Sequence, residues 1–139
     1  RLMSWTKEQK SYAVIMFDVD HFKNVNDTYG HDVGDEVLRF IAAAMLQHVR
    51  TTDSCYRFGG EEFVILLPGA SVDVAYERAE ELRQYFEQTN SPTSLPIHIS
   101  AGVAECPSDG VEGNGVLKKA DQLLYEAKQN GRNQVRKSN

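Results

Sequence analysis

The sequence predicts an α+β domain: a mainly antiparallel sheet with helices packed on it, in the ferredoxin-like arrangement. Three observations carry this reading. The periodic segments run strand, helix, strand, strand, helix, strand, helix, strand, an order that contains the split βαβ unit. The apolar runs Ala13 to Phe17 and Phe63 to Leu67 are short and rich in β-formers, as buried strands are. Three further stretches repeat apolar residues at spacings of three and four, the stripe of an amphipathic helix.

Taken in order, Tyr12 to Asp18 reads as a buried central strand ending in acids, and the polar stretch that follows, Asp20 to Asp27, reads as a connection. Val33, Val37, Leu38, Ile41, Ala44 and Met45 form one helical face running to about Arg50. Tyr56 to Phe58 and Phe63 to Leu67 are strands joined by Gly59-Gly60-Glu61-Glu62, a glycine-containing connection typical of a β-hairpin. Pro68-Gly69 stops the second of them. Val72, Ala75, Ala79, Leu82 and Phe86 mark the next helix, which ends near Asn90-Ser91-Pro92. Ile97 to Val103 alternates as a strand, and a glycine-rich loop from Gly110 to Gly115 reads as a flexible connection. The third helix carries Val116, Leu117, Ala120, Leu123, Leu124 and Ala127, is capped by Asn130-Gly131, and leaves Gln134-Val135 as a last edge strand.

At 139 residues the chain fits a single domain, given roughly 100–200 residues per domain. Fifteen Lys and Arg against twenty Asp and Glu give a net charge of −5, which argues against DNA or RNA binding through a basic face. A polyphosphate ligand would have to be held by metal and a few placed cations. The two cysteines, Cys55 and Cys106, are too few for a disulfide framework and form no C-x-x-C pair, which fits a reducing, cytoplasmic compartment. No apolar run approaches the ~20 residues needed to cross a bilayer, so no membrane contact by this segment is expected. The chain starts at Arg1 without a signal-like segment. It is expected to be one domain, 1–139, cut from a longer protein that could itself be membrane-anchored, with Arg1 to Ser11 a remnant of an upstream segment.

The chemistry concentrates at Asp18, at the end of the first strand, and at Glu61-Glu62 in the hairpin turn. Carboxylates at neighbouring strand ends can share a hard cation, since Mg2+ takes oxygen ligands from one or two carboxylates plus substrate phosphates. Gly59-Gly60 just before the acids would let backbone N–H groups approach an anion closely.

Three blocks of sequence resemble one known family. Arg57-Phe58-Gly59-Gly60-Glu61-Glu62-Phe63 is the GGEEF form of the signature of GGDEF domains, the diguanylate cyclases. The stretch from Asp18 through Lys23, Asn26, Gly30 and His31 to Asp35, and that from Ala120 to Asn133, are similar to two further blocks of the family. The resemblance implies a palm-type, nucleotidyl cyclase-like fold. It also implies condensation of two GTP into cyclic di-GMP and two pyrophosphates by a homodimer, with two Mg2+ or Mn2+ ions per active site. By the same resemblance Asp18, the Val19 carbonyl and Glu61 hold the metals, either Glu61 or a water accepts the proton of the attacking hydroxyl, and Lys23 stabilises the transition state. Asn26 and Asp35 are implied to read guanine, Gly59 and Gly60 to line the substrate, His31 to lie on the substrate side, and Lys128 with Arg132 to clamp the triphosphate.

Arg50 and Asp53 have the spacing of the family's RxxD inhibitory product site, five residues ahead of Gly59. A second arginine is not cleanly matched: the comparable position is Glu81, leaving Arg78 or Arg83 to substitute. A degenerate receptor would be expected to lose some of the metal, phosphate or guanine residues, and none is lost. A module that senses GTP or cyclic di-GMP without turnover would keep the same pocket and stands as the alternative.

Overall fold

The computed structural model describes residues 11–89, 91–110 and 113–138. Strands β1 (Tyr12–Val19), β2 (Ser54–Arg57), β3 (Glu62–Pro68), β4 (Ile99–Cys106) and β5 (Val135–Lys137) form one sheet in the order β2-β3-β1-β4-β5. Among the described residues four helices join them: α1 (Phe22–Tyr29), α2 (His31–Gln47), α3 (Val72–Gln88) and α4 (Gly113–Gln129). All strand pairs are antiparallel except β4 with β5. β3 lies between β1 and β2, and β1 lies between β3 and β4, so two split βαβ units interlock as the sequence predicts.

β1 is apolar without alternation because both its faces are covered. Ala13, Ile15, Phe17 and Val19 pack with residues of α1, α2 and α3, whereas Tyr12, Val14 and Met16 pack with Val116, Ala120 and Leu124 of α4. Phe17 stacks on Phe63 of β3 with ring centroids 5.1 Å apart. On the other face α4 lies so close to β4 that a Cβ at Gly102 would sit 2.1 Å from the Ala120 carbonyl oxygen. The sheet is therefore the middle of three layers.

Several boundaries differ from the sequence reading. The stretch read as a connection after β1 is helix α1. Only Phe22, Val25 and Tyr29 mark its period, and its Asn, Asp and Thr residues are weak helix formers. Eight residues would not hold as a helix alone; burial of Phe22 and packing of α1 on α2 supply the stability. β4 is displaced toward the C-terminus, at Ile99–Cys106 instead of Ile97 to Val103, because its pairing is set by all eight residues of β1. α4 begins at Gly113, before the expected Val116. Of the glycine-rich loop, residues 111 and 112 lie outside the described residues, as do residues 1–10 of the segment read as an upstream remnant.

Candidate active site

The register of β1 with β3 builds the site. Asp18 is the cross-strand partner of Glu62, which puts the Gly59-Gly60-Glu61 turn beside the end of β1. The turn is closed by the Phe58 N–H donating to the Glu62 carbonyl at 2.7 Å, and by Arg57, whose Nε and Nη2 donate to the Gly60 carbonyl at 3.0 and 2.6 Å. Gly59 has φ of 135°, a conformation available to glycine at little cost.

Asp18 is 4% exposed. One of its oxygens accepts from Lys128 Nζ on α4, and the other, Oδ1, is buried without a hydrogen-bond partner. Burial first, and then the charge of Asp18, push the Glu61 carboxyl above its ordinary range, with Lys128 pulling against them. Glu62 is raised in the same way, by burial, Asp18 and Asp121. Crowded carboxylates with an orphaned buried oxygen fit a divalent cation, which would satisfy Asp18 Oδ1 and relieve the repulsion. Among the described residues no three or more Asp, Glu, His or Cys side chains cluster as a metal site. The candidate set is thus two carboxylates, Asp18 and Glu61, with the Val19 carbonyl, leaving places for phosphate oxygens and water.

The other candidates gather on α1, α2 and the end of α4. Lys23 is exposed on the first turn of α1 and His31 is exposed at the start of α2. Asn26 lies against Gly34: a Cβ there would sit 1.9 Å from Asn26 Oδ1, an atom that is buried and without a hydrogen-bond partner. Asp35, next to Gly34, is exposed. Arg132 follows the α4 C-terminus with φ of 63°, and its guanidinium has no hydrogen-bond or ion-pair partner among the described residues.

Sequence reasoning missed Arg57 as the clasp of the turn, Gly34 as the reason Asn26 fits, and Asp20. The Asp18-Val19-Asp20 spacing invites reading both acids as metal ligands, yet Asp20 accepts from Ser100 Oγ at 2.6 Å and from the Asn133 N–H at 2.9 Å. It is committed to the scaffold.

On the opposite side of the hairpin, Asp53 accepts from the Arg50 backbone N–H at 2.9 Å and from Arg50 Nε and Nη2 at 3.1 and 2.8 Å. Arg50 also donates to the Pro68 carbonyl. Of the possible second arginines, Arg78 reaches Asp53, with Nη1 3.8 Å from Oδ2. Arg83 is engaged instead with Glu80, Glu87 and Asn133. The Asp53 side chain is enclosed, that of Arg50 is 45% exposed, and that of Arg78, which also donates to the His48 carbonyl, is only 24% exposed, so the acid holds both arginines and Arg50 is the one that faces solvent.

An interlocked antiparallel sheet with carboxylates at the end of its central strand, flanked by placed cations, defines the palm-type, nucleotidyl cyclase-like class. Within that class, the family model described as "Diguanylate cyclase, GGDEF domain" matches residues 1–134, and the chain belongs to this family, the catalytic domain of diguanylate cyclases. It is 37% identical over 132 residues to Diguanylate cyclase A of Treponema denticola, covering 93% of this chain and 36% of that protein. It is 39% identical over 128 residues to the response regulator PleD of Caulobacter vibrioides, covering 88% and 28%. The chain thus spans about a third of the length of these relatives. Among solved structures, the active GGEEF domain of a diguanylate cyclase from Vibrio cholerae superposes with a TM-score of 0.89 at 33% identity, covering 99% of this chain and 94% of that one. The GGDEF domain of DgcB from Caulobacter crescentus, in complex with c-di-GMP, gives 0.89 at 31% identity, covering 98% and 85%.

Proposed function

We propose that this domain condenses two GTP into cyclic di-GMP with release of two pyrophosphates, two copies of the domain each holding one GTP. The observation that carries this reading is the meeting of Asp18, Glu61 and Lys128 at the end of β1, beside a turn of two glycines. Asp18, the Val19 carbonyl and Glu61 would hold Mg2+ or Mn2+, with two ions per site as the family pattern implies. When bound, the cation supplies Lewis-acid stabilisation of the phosphate charge and lowers the pKa of a hydroxyl.

The chain's own residues do the remaining work. The Asp35 carboxylate accepts from guanine N1–H and the 2-amino group, and the buried Asn26 oxygen waits for a donor that guanine can supply. Lys23, Lys128 and Arg132 place positive charge along the triphosphate, and the N–H groups of Gly59 and Gly60 would donate to its oxygens. His31 lies on the same substrate side. Phosphoryl transfer asks for little beyond such positioning and charge. Glu61, or a water that it orients, takes the proton of the attacking 3′-hydroxyl.

Relatives named for this activity and a neighbour solved with c-di-GMP support the reading. Cyclic di-GMP is also proposed as a feedback ligand at Arg50 and Asp53, with Arg78 as the second arginine, since guanidinium forks suit phosphate and guanine edges. GTP as substrate places the work in the cytoplasm, and among the described residues no helix is long and apolar enough to cross a membrane.

The test incubates the domain at high concentration with GTP and Mg2+ or Mn2+ and looks for cyclic di-GMP by chromatography. Product is expected, and Glu61→Gln should abolish it with the circular dichroism spectrum unchanged. A parent domain that binds GTP and dimerises but forms no product would establish a sensor instead. Full turnover by Glu61→Gln would remove Glu61 from the site.

A further inference from the structure

Asp20 sits where three elements converge. Its N–H donates to the His98 carbonyl at 2.9 Å, its Oδ1 accepts from Ser100 Oγ on β4, and its Oδ2 accepts from the Asn133 N–H in the turn after α4. The residue is 9% exposed, and both carboxylate oxygens are already used. On one side it follows directly on Asp18 and Val19. On the other it holds the turn that presents Arg132.

That turn is one that the chain does not adopt freely. Arg132 and Asn133 have φ of 63° and 47°, a left-handed pair that asparagine takes readily but that is uncommon for arginine. The Arg132 N–H is caught by the Ala127 carbonyl at 2.9 Å. The Asn133 side chain is caught by Arg83 and Glu87. The Asn133 N–H has Asp20, a charged acceptor, and charged acceptors make the stronger hydrogen bonds.

We propose that Asp20 is a positioning residue for GTP: it fixes the turn of Arg132 relative to the metal-binding end of β1, and does not itself ligate the cation. The proposal rests on the reading of Arg132 as a triphosphate contact. An aspartate that only receives two hydrogen bonds differs from a metal ligand in what can replace it. In Asp20→Asn the amide oxygen can face the Asn133 N–H while its NH2 donates to Ser100 Oγ, so both links survive without the charge. In Asp20→Ala neither survives.

The test measures binding of a non-reacting GTP analogue with Mg2+ by calorimetry, together with amide exchange at residues 131–134. Asp20→Ala should weaken binding about tenfold, as loss of a charged hydrogen bond would, and speed exchange in the turn. Asp20→Asn should stay close to the parent in both. Arg132→Ala should weaken binding in the parent and add little in Asp20→Ala, because the two act through one contact. If Arg132→Ala has no effect in the parent, the triphosphate reading fails, and the exchange data still judge the link. Asp20→Asn as impaired in binding as Asp20→Ala, or unchanged exchange in Asp20→Ala, overturns the proposal. Should Asp20→Ala not fold, the Asp20→Asn result decides alone.

Discussion

A side chain excluded at one residue decides where another can go. Alanine at Gly34 would put a Cβ 1.9 Å from Asn26 Oδ1. The clash is mainly with the end of a movable side chain, which can swing away, although the buried Phe22 ring, 3.2 Å from the same Cβ, must also give by a few tenths of an ångström. Gly34→Ala is therefore expected to raise the KM for GTP about tenfold, the cost of a lost buried hydrogen bond; steady-state kinetics checks it. The same pocket should refuse ATP by about ten- to a hundredfold, since adenine leaves the Asp35 acceptor without donors, and a side-by-side rate comparison tests it. Elsewhere, burial and then the charge of Asp53 push the Cys55 thiol up to about 11. Its thiolate fraction at pH 8 is then about a hundredfold below that of an ordinary cysteine. Iodoacetamide labelling read by mass spectrometry should be correspondingly slow at Cys55 in the native protein and fast in denaturant.

At the scale of the element, the contact between α4 and β4 matters most for the site, because α4 carries Lys128 and leads to Arg132. Gly102 allows this contact, since any Cβ there would strike the backbone of Ala120 and Leu124. Neither can yield as a side-chain tip could. Gly102→Ala is expected to cost about 1–3 kcal/mol, as overpacking does, and to shift the helix bearing Lys128, so urea unfolding and GTP affinity should fall together. A stable variant with unchanged affinity would mean that α4 is placed by its other contacts. The short helix α1 shows the converse. It exists through Phe22 and its packing on α2, and it lifts Lys23 and Asn26 toward the end of β1.

In the whole molecule, the hairpin of β2 and β3 separates two sites. The Glu61 turn is at one end of β3, and Arg50 bonds the Pro68 carbonyl at the other. If product binds at Arg50 and Arg78, inhibition by cyclic di-GMP should not be simply competitive with GTP. Arg50→Ala should weaken that binding about ten- to a hundredfold, the worth of a charged bidentate contact, with basal turnover retained. Calorimetry with cyclic di-GMP and inhibition curves decide this. Equal affinity in the variant would reduce the Arg50–Asp53 pair to a helix-end clasp.

The sequence alone determined the strands, three of the helices and the split βαβ order, because strong apolar periods report burial directly. It also placed Asp18, Glu61, Lys128 and the Arg50–Asp53 pair in recognisable motifs. What it left open is non-local. The period of α1 is too sparse to stand without its tertiary partner. Whether Arg78 or Arg83 approaches Asp53 depends on how α3 is rotated against the sheet. Asp18 and Asp20, two residues apart, look equivalent as letters. Only the fold separates them: it leaves Asp18 Oδ1 without a hydrogen-bond partner and gives both oxygens of Asp20 to Ser100 and Asn133, from 80 and 113 residues further along the chain. Hydrogen bonds across such separations are set by which strands pair and where α4 ends, and no local pattern encodes them.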